Sequence, residues 1–124
     1  MNQECFFKSV IEQDIAPVVI CDLNHTVIYM SSAAVKHYEK RGGSNLVGKN
    51  LLECHNEQSC LLIKKVVSWF QQSQNNNRIH TFYNEKQNKD VYMIALRDDE
   101  KRLIGYYEKH EYRSPDNEDF YNFR

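Results

Sequence analysis

The chain has 124 residues and a mass of 14.8 kDa, enough for one domain with a single core and one small pocket, and too little for two catalytic lobes. Hydrophobic residues make up 41% and charged residues 27%, which argues against general disorder. Sixteen basic against seventeen acidic side chains give a net charge of −1, so no cationic excess is present to neutralise phosphates, which argues against nucleic acid as a direct partner.

Gln3–Glu12 places Phe6, Phe7, Val10 and Ile11 at helical spacing and reads as a short amphipathic helix. It carries more apolar surface than one edge strand can cover. The expectation is that it packs on a second subunit or across the open face of a sheet, in a two-fold dimer. Val18–Asp22 and Thr26–Met30 are β-rich runs joined by the polar turn Leu23-Asn24-His25, with Asn24 the residue suited to positive φ. Ser31-Ser32 offers a cap for a short helix over Ala33–Lys40, closed by Gly42-Gly43. Ser44–Leu52 is a compact polar-apolar segment.

Asn56 can cap the longest helix, Glu57–Gln72, whose Leu62, Ile63, Val66, Val67, Trp69 and Phe70 recur at three- and four-residue spacing. The polar tract Gln71–Asn77 ends it. Arg78–Tyr83, Asp90–Arg97 and Leu103–Tyr112 then alternate as strands, separated by the turns Asn84–Lys89 and Asp98–Lys101. Strands enclosing a helical insert indicate an α+β fold: a five-stranded antiparallel sheet with helices on one face, and a concave gap where a small ligand can sit.

No apolar run approaches the ~20 residues that span a bilayer; the longest, Ala16–Cys21, is strand length. The lead MNQECFFKSVIEQD contains acids and does not read as a signal peptide. Cys5, Cys21, Cys54 and Cys60 form no Cys-x-x-Cys pair, so free thiols in a reducing cytoplasm are expected. There is no Gly-rich phosphate loop, nucleophile triad or paired-carboxylate element, so no enzymatic activity is expected.

Four local features resemble a PAS domain. Ala16-Pro17-Val18-Val19-Ile20-Cys21-Asp22 is similar to its first strand with an acidic turn residue, and Thr26–Ala34 to its second strand running into a small-residue helix start. Leu46-Val47-Gly48-Lys49-Asn50-Leu51-Leu52 resembles the Leu-x-Gly-Lys segment before the long helix, and Leu103-Ile104-Gly105-Tyr106-Tyr107 the final strand. The resemblance covers residues 14–112, leaving residues 1–13 as an N-terminal amphipathic helix and 113–124 as a tail. It implies a bacterial sensory module that binds a ligand, cofactor or partner and signals to another chain. Neither flank is long enough for a kinase or a DNA-binding module, so signalling in trans, through a dimer or a separate signalling protein, is expected.

Cys54-His55-Asn56-Glu57-Gln58-Ser59 is similar to a subgroup of bacterial PAS domains with Cys-His-Pro-x-x-Ser here, Asn56 replacing the proline. His55, just before the long helix, is the candidate metal ligand: a neutral imidazole can bind haem iron, with Cys54 beside it. The plain alternatives are a histidine bonded to a backbone carbonyl and a buried, inert cysteine. Cys21, Met30, Trp69 and Met93, with Val19, Ile28 and Ile94, are candidates to line the pocket or simply to fill the core. His80 and His37 are alternative ligands; His25 and His110 are expected in solvent. Gly48-Lys49-Asn50 is followed by Leu51 rather than the cysteine of light-sensing PAS domains, so no flavin adduct is expected. Two functions remain open: a ligand or haem sensor, and a ligand-free interaction and dimerisation module.

Overall fold

The structure is a computed structural model that describes residues 2–124; Met1, which opens the predicted 1–13 segment, lies outside them. The elements are α1 (Gln3–Glu12), β1 (Val19–Asp22), β2 (Val27–Met30), α2 (Ser32–His37), α3 (Glu57–Gln72), β3 (Arg78–Asn84), β4 (Lys89–Arg97) and β5 (Leu103–Tyr112). Three short 3-10 turns, Glu39–Arg41, Gly43–Leu46 and Leu51–Cys54, lie between α2 and α3. The sheet runs β2-β1-β5-β4-β3, antiparallel throughout, with β5 at its centre.

The β1–β2 turn is built on Asp22, whose Oδ1 accepts from the backbone N–H groups of Asn24 and Thr26. That arrangement moves the left-handed position one residue past the expected Asn24, to His25 with φ 64°. Ser31 is fully buried, and its Oγ accepts from Val18 N at 3.0 Å and Ala34 N at 3.2 Å. One hydroxyl thus caps α2 and ties it to the start of β1. The helix is shorter than the predicted Ala33–Lys40. Gly42 at φ 122° and Gly43 at φ 52° turn the chain sharply, and the last predicted turn tightens into 3-10 form.

Asn56 caps α3, its Oδ1 accepting from Ser59 N at 2.8 Å. Asn56→Ala is expected to cost about 1 kcal/mol; an unchanged midpoint in chemical denaturation would show that the cap carries no weight. The other end of α3 is held from outside the helix. The Arg97 guanidinium donates to the carbonyls of Phe70, Ser73 and Asn76 at 2.7–3.2 Å, satisfying groups the helix end leaves free. The core packs Val67 and Phe70 of α3 and Ala34 of α2 against Cys21, Val27, Met30, Met93 and Tyr106 of the sheet.

No residue of α1 is buried: Phe6, Phe7 and Val10 are 61%, 62% and 73% exposed. The helix is anchored only at its end, where the Glu12 carboxylate accepts from the Tyr29 hydroxyl and from Ser32 Oγ. These bonds hold the Glu12 carboxyl below the usual carboxylate range, and burial with the Glu12 bond pushes Tyr29 up to about 12. Among the described residues no helix is long and apolar enough to cross a membrane.

Candidate functional site

A cavity of about 140 Å³ lies between the sheet and segment 38–55. Its floor is Val19, Cys21, Val27, Met30, Met93 and Tyr106, from the inner face of four strands, a bulge setting the three-residue step from Val27 to Met30. Ile63 of α3 and Leu46 and Leu51 of the turns close it. Its polar wall is Tyr38, Arg41, Lys49, Asn50, His55 and Glu108. The site is therefore an apolar pocket with a few polar groups, most of them on segment 38–55.

Five of the six predicted site residues reach this cavity: Cys21, Met30, Cys54, His55 and Met93. Trp69 does not. It packs half-buried against the core from the other flank of α3, one position before Phe70, so its indole is core filling rather than a cavity wall. Ile28 is 55% exposed: a β-bulge in β1–β2 turns it away from the inner face, while Val27 and Met30 stay inside. Ile94 is also absent from the wall, because it pairs with Tyr107 on the face opposite Met93 and Glu108. Burial pushes the Cys21 thiol up to about 11, so it stays protonated and acts as an apolar wall group. Cys54 is exposed at the cavity mouth.

His55 donates from Nδ1 to the Leu51 carbonyl at 2.9 Å, because a carbonyl can only accept. With Nδ1 as the donor, the neutral tautomer of this ring carries its lone pair on Nε2, the form a metal-binding imidazole needs. The donor chemistry fits haem, but the space does not. An apolar cavity of roughly 150 Å³ admits one benzene, and a porphyrin carries four pyrrole rings and their bridges. With segment 38–55 in place, the cavity takes a single ring.

The other histidines lie outside the cavity wall. His80 bonds Asp90 at 2.9 Å and stacks on Tyr92, on the opposite face of the sheet. His25, expected in solvent, is half-buried with Nδ1 2.8 Å from the Tyr106 hydroxyl. His110, also expected in solvent, is buried. Its Nε2 donates to Glu108 at 2.8 Å, and its Nδ1 has no hydrogen-bond partner. The His37 ring lies 6.3 Å from that of His110.

Lys89, expected in a turn, opens β4 instead and is 1% exposed. Its Nζ makes no hydrogen bond and faces the Tyr112 ring at 5.6 Å. Burial lowers its pKa, and the Glu108 charge partly offsets that. Glu108 thus faces the cavity on one side and this buried cationic corner on the other.

Apart from His55, the polar residues of the cavity wall were not singled out by the sequence. Arg41 and Glu108 carry no motif, and the Leu-x-Gly-Lys segment that contains Lys49 does not say where its side chain points; period-two alternation along β5 puts Glu108 on the same face as Tyr106.

No family model matches the chain, and no curated protein matches it. Solved structures do. The PAS domain of a Colwellia psychrerythraea protein superposes with a TM-score of 0.65 at 10% identity, over 89% of this chain and 96% of that one. A C-terminal domain from Streptococcus mutans gives 0.64 at 20% identity, over 85% and 81%. The Aer2 receptor of Vibrio cholerae, described as a dual PAS-heme oxygen sensor, gives 0.55 at 16% identity, over 76% and 90%. The chain has the PAS fold, as the sequence resemblance implied.

Proposed function

We propose that this chain is a cytoplasmic sensory domain, not an enzyme, that holds one small organic molecule in the cavity beneath segment 38–55 and signals in trans. Residues 14–112 form the sensory domain and 1–13 and 113–124 its flanks. The observation that carries this reading is the cavity itself. Its apolar floor and polar wall suit one small organic molecule of about 140 Å³ or less, and its mouth, where Cys54 is exposed, gives such a molecule a way in. Four unpaired thiols suit a reducing compartment.

Signalling in trans is supported by α1, whose exposed Phe6, Phe7 and Val10 suit contact with a second copy. The same surface favours a second reading, a ligand-free dimerisation module that docks a separate signalling protein. Exposed Phe120, Tyr121 and Phe123 in the tail add to that surface.

Native mass spectrometry of freshly purified protein tests both. The expected result is a dimer carrying extra mass that is lost on denaturation. A dimer of bare chains supports the second reading, and a bare monomer removes both. If the extra mass is a porphyrin, with a Soret band, segment 38–55 opens further than it does here.

A further inference from the structure

We infer that the molecule held in this cavity is a small organic anion, a carboxylate on a body the size of one ring, gripped by Arg41 and Lys49 at the rim; this rests on the ligand-binding reading above. The arginines supply the first observation. Arg78, Arg102, Arg113 and Arg124 each pair with a carboxylate, and Arg97 holds four backbone carbonyls. Arg41 alone among them has neither a carboxylate within ion-pair distance nor a side-chain hydrogen bond among the described residues, and it lines the cavity. Lys49, on the same wall, is likewise unpaired there. An arginine fork matches a carboxylate in a way no neutral head group does.

The remaining polar groups agree. Asn50 spends its carbonyl oxygen on Leu52 N, which leaves its amide donors free toward a ligand. The opposing charge is Glu108, the only carboxylate of the wall. One of its oxygens is taken by His110 Nε2, and its field is met by buried Lys89. The wall therefore offers two unspent cations against one committed anion. The apolar floor, Cys21, Met30 and Met93 among others, takes the body of the ligand, and about 140 Å³ limits that body to a single ring.

Three single-ring probes, benzoate, neutral benzamide and cationic benzylamine, separate the possibilities when titrated against the amide NMR spectrum of the full chain. Benzoate is expected to shift the amides of the cavity floor and to bind about tenfold tighter than benzamide or more. Arg41→Gln combined with Lys49→Gln is expected to bring benzoate down to the level of benzamide, and benzamide shifting the same floor amides in that variant shows the cavity intact. Benzamide or benzylamine binding as tightly as benzoate, or full benzoate affinity in the double variant, overturns the anion assignment and leaves the ligand-binding reading standing. If none of the three enters the cavity, both fail.

Discussion

Gly105→Ala is expected to destabilise the protein by about 3 kcal/mol or more, lowering the thermal midpoint by roughly 10 °C. A Cβ at this position would stand 2.2 Å from the Cys21 carbonyl oxygen and 3.3 Å from the Asp22 Cα. Both are backbone atoms of β1, so no rotamer change relieves the contact. Gly105 opposes Asp22, and the next pair, Cys21 with Tyr106, is part of the cavity floor. Parting β1 from β5 therefore damages fold and site together. A circular-dichroism melt unchanged from the parent chain would show that the two strands are not this close.

Lys89→Met is expected to act in the opposite direction, raising stability by about 2 kcal/mol at neutral pH. Methionine fills the same slender space without an amine that lacks a hydrogen-bond partner. The groups facing that amine are Glu108, His37 and the Tyr112 ring, and the ring at 5.6 Å compensates only weakly. The pH dependence has a definite sign. Burial lowers the folded-state pKa of Lys89 below the ordinary lysine value, so between the two values the unfolded chain binds more protons. The cost of the buried charge is then fully present below the folded pKa and disappears as pH rises to the unfolded one. The advantage of Lys89→Met should accordingly be largest near neutrality and shrink as the solution becomes alkaline. Urea denaturation at several pH values reads this directly. A variant less stable than the parent at neutral pH would mean that Lys89 holds a favourable partner.

The regular elements were legible because their signals are local. The three- and four-residue spacing of Ile63, Val66, Val67 and Phe70 yields α3 over Glu57–Gln72, and Asn56 and Ser31 cap where short polar side chains precede apolar runs. What escaped depends on contacts distant in sequence. Lys89 reads as a turn residue because it is charged and follows a polar stretch, yet pairing with Tyr112 of β5 draws it inside. His110 reads as a solvated strand end, but Glu108, two positions away on the same face, accepts a hydrogen bond from its Nε2 and holds the ring in the interior. Trp69 and Phe70 are adjacent and equally apolar. Only the rotation of α3 against the sheet decides that Phe70 is fully buried while Trp69 stays on the flank.

The cavity was legible in the same uneven way. Cys21, Met30 and Met93 follow from strand alternation and His55 from its place before α3. Arg41 and Lys49 lie in turns, where no periodicity says which way a side chain points. Their importance comes from what they lack, a carboxylate partner, which only the folded arrangement reveals.

The cavity between the sheet and segment 38–55 is open to a small guest. Diffraction from crystals held under xenon pressure tests it without knowledge of the natural ligand. The account predicts a xenon atom bounded by Cys21, Val27, Met30, Ile63 and Met93. Side chains closed over that position, with no xenon density, would contradict it.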